Sequence, residues 1–203
     1  MVDTFTDNSL NNGGEQARVQ LRKKLCAARR SLDNDAQATA AEELLPKALT
    51  AINNLETSKP LTRIAGYLAF QGEIDVSPVL QALRAKDITT YVPMLNDETL
   101  LFAPWSENTP YTSNRFGIIE PSVPKQQWIS AEQLDAVLVP LVAFDNDGHR
   151  MGMGGGFYDK TFARRLKQPG PPWLIGVAHE FQRVDTVYPE WWDVKLDSVL
   201  TGG

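Results

Sequence analysis

The sequence predicts an α/β protein with three layers, α/β/α, and a mainly parallel central sheet. Short apolar segments with β character alternate with helical segments of about ten residues, which is typical of βαβ units and of a sheet covered on both faces. The 203 residues suit one domain, since domains usually hold roughly 100 to 200 residues. A chain of this length buries about 70% of its unfolded surface and needs no disulfide or structural metal to fold.

The N-terminal part is predicted to contain a polar tail and two helices. Residues 1–16 are rich in Asp, Asn, Ser and Gly and have no apolar stretch, so we expect a mobile tail before a single domain over residues 17–200. Apolar residues recur every three or four positions from Leu21 to Leu32, which predicts an amphipathic helix. Asp33 or Asp35 can cap a second helix that runs to about Leu55.

The same alternation continues through the rest of the chain. Residues 64–70 form an apolar run with β character, and Ser77-Pro78 supplies a cap and a first position for a helix to residue 85. Further strands are predicted over residues 89–93, 135–139 and 173–178, with helices starting at Ser130 and covering residues 157–166. Sheets of this kind bind ligands where the loops after the carboxyl ends of their strands converge.

Charge and hydropathy argue against two classes of partner. The formal net charge is −5, whereas general nucleic-acid binders usually present a basic surface. The longest apolar run, residues 136–144, is interrupted by Pro140 and is shorter than the roughly 20 residues that span a bilayer. The single cysteine, Cys26, cannot form an internal disulfide and favours a reducing, cytoplasmic environment.

The densest signal is a glycine-rich loop between a predicted strand and a predicted helix. Four glycines occur between Gly152 and Gly156, and consecutive glycines let backbone N–H groups approach an oxyanion closely. Arg150 adds a permanent cation, and a helix starting at Phe157 would direct its N-terminus at the same anion. The spacing matches neither a Walker A loop nor a dinucleotide fingerprint. The pattern therefore predicts a phosphate cradle, and the alternative is a flexible surface loop.

A longer stretch around this loop resembles the signature of the 5-formyltetrahydrofolate cyclo-ligases, also called 5,10-methenyltetrahydrofolate synthetases. It includes Pro140-Leu141-Val142-Ala143-Phe144-Asp145, Gly148 and Arg150-Met151-Gly152-Met153-Gly154-Gly155-Gly156-Phe157-Tyr158-Asp159. Further resemblances occur in the expected order at Arg18, Leu21-Arg22, Gln71-Gly72-Glu73-Ile74-Asp75, Phe116-Gly117-Ile118-Ile119-Glu120-Pro121 and Trp192-Asp193-Val194-Lys195-Leu196-Asp197. The resemblance covers the chain from about residue 17 to residue 200.

The resemblance implies a ligase of one-carbon metabolism that uses ATP as co-substrate and requires Mg²⁺. It would cyclise 5-formyltetrahydrofolate to 5,10-methenyltetrahydrofolate and release ADP and phosphate. The formyl oxygen would attack the γ-phosphate, and N10 would then close the ring as phosphate leaves. Phosphoryl transfer of this kind depends mainly on alignment and on neutralising cations. We expect a cytoplasmic monomer or weak homo-oligomer without a nucleic-acid or membrane partner.

The resemblance also implies a role for each matching position. Residues implied to bind ATP are Arg18, Arg22, Arg150, Gly152, Met153, Gly154, Gly155, Gly156, Phe157 and Tyr158, of which Arg150 and Tyr158 are the candidate catalytic residues. Those implied to bind folate are Leu68, Glu73, Met153, Gly154, Gly155, Gly156 and Phe157, with Glu73 on the pterin ring. Asp159 and Asp193 would hold Mg²⁺, which prefers a few carboxylates together with phosphate oxygens and water.

The chain departs from the family pattern at three of these positions. Arg18 stands where many members have lysine, and Met153 and Gly155 stand where some members have arginine and lysine. The charge at Arg18 is kept but its geometry differs. We expect the loop to rely more on backbone N–H groups than it does in those members.

Simpler interpretations exist for several positions taken one at a time. The basic first helix can be a solvated face, Asp159 a first-turn helix residue, and Asp193 and Glu73 turn carboxylates. Two other functions also fit the loop: an enzyme of similar architecture acting on a sugar phosphate or CoA ester, and a non-catalytic folate or nucleotide binder. The first would need neither the Arg18/Arg22 helix nor Mg²⁺, and the second would not need the phosphate-binding residues.

Overall fold

The computed structural model describes residues 9–113 and 119–203, with side chains from Gly14 onwards. Met1 to Asn8 of the expected tail, and Phe116 to Ile118 of one family-like segment, lie outside the described residues. Helix α1 covers Ser9–Arg30, so residues 9–16 of the expected tail are helical. Adding turns to an existing helix is cheaper than starting one, which explains why α1 extends backwards from its amphipathic half.

Helix α2 covers Asn34–Asn53 and follows α1 after a short turn. Asp33 caps it, accepting a hydrogen bond of 2.8 Å from the backbone N–H of Ala36. Asp35, the other candidate cap, lies in the first turn, where a negative charge is favourable. None of the described helices is long and apolar enough to cross a membrane.

Among the described residues, six strands form the central sheet, and four further strands pair outside it. The remaining elements are β1 (Arg63–Ala65), α3 (Ser77–Arg84), β2 (Thr89–Asn96), β3 (Thr99–Pro104), β4 (Tyr111–Ser113), β5 (Ile119–Pro121), β6 (Ala136–Pro140), β7 (Ala143–Phe144), β8 (Arg150–Met151), α4 (Phe157–Thr161), β9 (Trp173–His179) and β10 (Ser198–Gly202). The sheet order is β10-β9-β6-β1-β2-β3, and every pair is parallel except β2 with β3. The predicted α/β class with a mainly parallel sheet is therefore confirmed.

Alternate residues of the central strands face two different hydrophobic clusters. In β6, Ala136 and Leu138 pack with the buried faces of α2 and α3, whereas Val137 and Val139 pack with aromatic residues from β3 and from the segment that begins with α4. This alternation follows from the two-residue period of a strand. A strand buried on both faces consequently reads as a continuous apolar run, as residues 136–139 do.

Two predicted elements end earlier than expected. The strand over residues 64–70 stops at Ala65, because the following loop turns back so that the Tyr67 hydroxyl donates to the Ile74 carbonyl at 2.8 Å. The helix over residues 157–166 divides into α4 and a 3-10 turn at Ala163–Leu166. The Thr161 hydroxyl bonds to the Phe157 carbonyl at 2.6 Å, an i−4 contact that disturbs helices.

Candidate active site

A cavity of about 760 Å³ lies where the loops after the parallel strands converge. The loops after β1 and β6 form its inner wall, the segment from β8 through α4 forms one side, and α1 borders it through Arg18 and Arg22. The cavity is lined by every residue to which the sequence analysis gave a site role: Arg18, Arg22, Leu68, Glu73, Arg150, Gly152, Met153, Gly154, Gly155, Gly156, Phe157, Tyr158, Asp159 and Asp193. Residues separated by more than a hundred positions therefore share one space.

The glycine-rich loop connects β8 to α4 along the cavity. Gly154 and Gly156 have φ angles of 102° and 67°, a region that residues with a Cβ rarely adopt. The Arg22 side chain donates from Nε to the Gly152 carbonyl at 2.9 Å and holds this end of the loop to α1. The loop is thus attached to the helix that supplies two of the candidate cations.

Arg150 is buried and held by the protein on two sides. One of its terminal nitrogens donates to the Val194 carbonyl, and the other lies 2.9 Å from Oδ1 of Asp159. Its guanidinium carbon is 5.9 Å from the centre of the Tyr158 ring. The orientation of this cation is therefore fixed before any ligand binds.

Arg18 and Arg22 lie one helical turn apart and differ in their surroundings. Arg18 donates to Oδ2 of Asp193 at 3.1 Å and to the Tyr188 carbonyl at 2.7 Å. Burial lowers the pKa of the Arg22 guanidinium, and the neighbouring Arg18 charge lowers it further. An anion placed between these two arginines would relieve their mutual repulsion.

The two candidate magnesium ligands each use one carboxylate oxygen within the protein. Oδ1 of Asp159 accepts from Arg150 and, at 3.0 Å, from the backbone N–H of Val194. Oδ2 of Asp193 accepts from Arg18 and, at 2.9 Å, from the backbone N–H of Glu190. The second oxygen of each carboxylate has no partner among the described residues. Two such oxygens on one cavity suit a magnesium ion that takes its other ligands from phosphate and water.

Glu73 lies on the loop after β1 and is held by backbone and charge. Its Oε2 accepts from the Phe70 backbone N–H at 3.1 Å, and its Oε1 lies 3.5 Å from a terminal nitrogen of Arg29. Burial raises the pKa of Glu73 to about 7, although Arg29 and the Phe70 N–H both act to lower it. Small changes near this carboxyl therefore decide whether it is charged at neutral pH.

Tyr158 brings an unpaired hydroxyl to the cavity. Its oxygen is buried and has no hydrogen-bonding partner among the described residues. Burial raises the pKa of this hydroxyl, Glu73 raises it further and Arg150 lowers it. A buried hydroxyl without a partner is costly, so this group is available to hydrogen-bond a ligand.

One buried residue next to this site, Arg29, was not predicted from the residue pattern. Arg29 is 1% exposed, although a charged residue on a basic helix is more typical of a solvated face. The missed signal is its position four residues after Leu25, on the apolar side of α1. Trp192, next to Asp193, also lines the cavity, and so does Tyr67, to which no role had been given.

Comparisons with known proteins agree with the resemblance in the sequence. The model of the 5-formyltetrahydrofolate cyclo-ligase family matches residues 14–202. A 5-formyltetrahydrofolate cyclo-ligase from Haemophilus influenzae is 36% identical over 190 residues, which cover 92% of this chain and 98% of the relative. The enzyme of the same description from Escherichia coli K12 is 36% identical over 141 residues, covering 68% and 76%.

A solved structure gives the same result for the fold. The 5,10-methenyltetrahydrofolate synthetase of Aquifex aeolicus, determined by NMR, superposes with a TM-score of 0.71 at 26% identity. The match covers 91% of this chain and 89% of that one. The similarity therefore extends over nearly the whole of both proteins.

Proposed function

Because this chain belongs to the 5-formyltetrahydrofolate cyclo-ligase family, we propose that the cavity at the carboxyl end of its sheet binds 5-formyltetrahydrofolate and ATP side by side. The chain is an ATP-dependent enzyme that converts 5-formyltetrahydrofolate to 5,10-methenyltetrahydrofolate, with ADP and phosphate as the other products. The observation that carries the assignment of the site is the convergence of all the candidate residues on one cavity of about 760 Å³. The alternatives were an enzyme acting on a sugar phosphate or CoA ester, and a protein that only binds folate or nucleotide. None of them explains why the chain belongs to this family.

ATP occupies the side of the cavity formed by α1 and the glycine-rich loop. Arg18, Arg22 and Arg150 supply positive charge, while the backbone from Gly152 to Gly156 leaves room for phosphate oxygens to approach N–H groups. Met153, Phe157 and Tyr158 complete this wall. Asp159 and Asp193 would hold Mg²⁺ through their carboxylates, and the ion would neutralise the charge that develops on the phosphates.

The folate occupies the side formed by the loop after β1. Leu68 packs on the pterin, and the Glu73 carboxylate accepts hydrogen bonds from the pterin N3–H and 2-amino group, both of which are donors. A charged acceptor facing two N–H donors gives a strong and oriented contact. The glycine-rich loop, with Met153 and Phe157, borders both this ligand and the phosphates, so the formyl group can reach the γ-phosphate.

The reaction then needs alignment more than proton transfer. The formyl oxygen attacks the γ-phosphorus, the bond to the β–γ bridging oxygen breaks, and ADP leaves. N10 attacks the activated formyl carbon, loses its proton, and phosphate departs with the former formyl oxygen. Arg150, fixed by Asp159 and the Val194 carbonyl, stabilises the charge on the transferred group. The Tyr158 hydroxyl donates to the phosphorylated oxygen in the low-dielectric cavity.

One assay tests this assignment. The protein is mixed with 5-formyltetrahydrofolate and MgATP, and the absorbance of 5,10-methenyltetrahydrofolate is followed together with ADP. We expect the two products in equal amounts, with dependence on Mg²⁺. Absence of the methenyl chromophore would contradict the proposal, as would ADP formation without it.

We further propose that the enzyme acts in the cytoplasm as a monomer or weak homo-oligomer. Cys26 is free and buried, which suits a reducing environment. All the candidate site residues line one cavity of a single chain, so the proposed mechanism uses no residue of a second copy. Sedimentation of the active enzyme at assay concentration is expected to give mostly monomer.

A further inference from the structure

Arg29 is the most deeply buried charged residue near the cavity, and it reaches two separate segments. Its Nε donates to the Gln71 carbonyl at 3.0 Å and its Nη1 to the Leu141 carbonyl at 3.0 Å. The same Nη1 lies 3.5 Å from Oε1 of Glu73. Arg29 thus connects α1 to the loop after β1 and to the loop after β6.

The backbone around Gly72 fixes this arrangement. Gly72 has a φ of 80°, and a Cβ added there would lie 2.3 Å from the carbonyl oxygen of Arg29. The Gly72 carbonyl is held in turn by Gln37 at 3.0 Å and by the His179 ring at 3.1 Å. The end of α1 is therefore pressed against the loop that carries Glu73, and Arg29 has little freedom to move away.

A packing role alone does not explain why the charge of Arg29 is buried. Its Nη2 is buried without a hydrogen-bonding partner among the described residues, which is costly for a charged group. A buried arginine is tolerated when it offsets a buried negative charge, and Glu73 is the carboxylate within reach. Glu73 lines the cavity, so the charge balance behind it affects any ligand in front of it.

We propose that Arg29 is a positioning residue for the folate site, which pairs with the Glu73 carboxylate and directs it at the pterin ring. The proposal rests on the proposed function for the identity of the ligand, but not for the effect of Arg29 on Glu73. Arg29 itself does not need to touch the substrate. It acts through Glu73.

Among the described residues, few other charged or titratable groups interact with Glu73 or with its neighbours. Two tyrosines, Tyr67 on the same loop and Tyr158 on α4, interact electrostatically with Glu73. Asp75 interacts with Tyr67, and His179 interacts with Arg29. Burial raises the pKa of both tyrosines, so neither carries charge near neutral pH. Arg29 is therefore the cation that opposes the effect of burial on Glu73.

The test is to titrate Glu73 directly in three arginine variants. Carbon-13 labelling of glutamate side chains follows the Glu73 carboxyl by NMR, and the signal lost in Glu73→Gln identifies it. Arg29→Gln is expected to raise the titration midpoint by about one pH unit, the usual effect of removing an adjacent opposite charge. Arg29→Lys is expected to give a smaller shift. The matched control is Arg30→Met, which removes an exposed arginine next in sequence and should leave the midpoint unchanged.

Kinetics provide a second readout. The KM for 5-formyltetrahydrofolate is measured against pH for the same variants. This KM should rise as the pH falls, and in Arg29→Gln the rise should begin at a higher pH. The KM for ATP should change little. A Glu73 midpoint unchanged in Arg29→Gln would overturn the proposal and leave Arg29 a purely structural residue. If Arg29→Gln does not fold, the test uses Arg29→Lys instead. In that case the proposal is overturned if the Glu73 midpoint and the KM for 5-formyltetrahydrofolate are both unchanged. The NMR titration does not require the enzyme to turn over substrate. A failure of the proposed function would therefore appear in the activity assay and not in the titration of Glu73.

Discussion

At the scale of single residues, Gly154 shows how strictly the loop backbone is constrained. Its φ is 102°, and an added Cβ would lie 3.8 Å from the guanidinium carbon of Arg22. The space around Gly154 would thus admit a methyl group, whereas the backbone conformation disfavours any residue with a Cβ. Its importance therefore follows from conformation rather than from close packing.

We predict that Gly154→Val raises the KM for ATP by at least about tenfold, because strain of roughly 1 to 3 kcal/mol shifts the loop away from its ligand-binding shape. The exposed loop can relax, so the thermal midpoint should fall by about 4 °C or less. Steady-state kinetics and calorimetry check the two effects. Gly14→Ala, in open space on α1, is the control, and a normal KM in Gly154→Val would refute the loop's role.

Glu73 should also make stability depend on pH. Its pKa is raised from 4.5 to about 7 in the folded protein, so the folded state binds this proton more tightly than the unfolded chain does. The resulting stabilisation is complete below about pH 4.5 and is lost as pH rises through about 7.

The corresponding measurement compares the wild type with Glu73→Gln by chemical denaturation between pH 4.5 and 8. The free energy of unfolding of the wild type, relative to the variant, should decrease as pH rises by at most about 3 kcal/mol. Other titrating groups cancel in this difference. A difference that stays constant with pH would mean that the Glu73 carboxyl is not perturbed by folding.

At the scale of elements, α1 joins the functional groups of the site to the core. Leu25 and Cys26 pack against Val142, Ala143 and Met151, while Arg18 and Arg22 line the cavity. The apolar residues of the helix therefore determine where its cations lie.

We predict that Leu25→Ala lowers the free energy of unfolding by about 2 to 4 kcal/mol, because it removes buried methyl groups and leaves a cavity. The KM for ATP should rise in the same variant, since α1 then sits less firmly. Denaturant unfolding and kinetics test both effects. The control is Val19→Ala, at a residue of the same helix that is 51% exposed; it should change neither the free energy of unfolding nor the KM for ATP. An unchanged KM in Leu25→Ala would mean that ATP binding does not depend on the packing of α1.

At the scale of the whole molecule, binding should stabilise the complete fold, because the cavity walls come from both ends of the chain. A ligand present at 100 times its Kd stabilises the folded state by about 2.7 kcal/mol. For a chain of this size that corresponds to a rise of about 5 to 10 °C in the thermal midpoint. We expect this shift with MgATP analogues that cannot transfer phosphate and, independently, with 5-formyltetrahydrofolate. The absence of a shift with either ligand would place its binding site elsewhere.

Local patterns predicted much of the architecture. The cap at Asp33, helix α3 after Ser77-Pro78 and the apolar run of β6 depend on contacts between near neighbours in sequence, which residue types and spacing express directly. The glycine-rich loop was found in the same way, and a resemblance to a family assigned its ligand. Strand β3 was missed, since its antiparallel pairing with β2 depends on a neighbouring strand rather than on its own pattern.

The sequence by itself determined the α/β class, the position of the glycine-rich loop and the family to which the chain belongs. Only the tertiary structure decided the order of the strands, the pairing of Arg150 with Asp159 and the burial of Arg29 beside Glu73. Periodicity records which side of an element is apolar, whereas charge pairing depends on which distant segments meet. Arg29 donates to the carbonyl of Leu141, 112 residues away, and only the folded chain brings those two residues together.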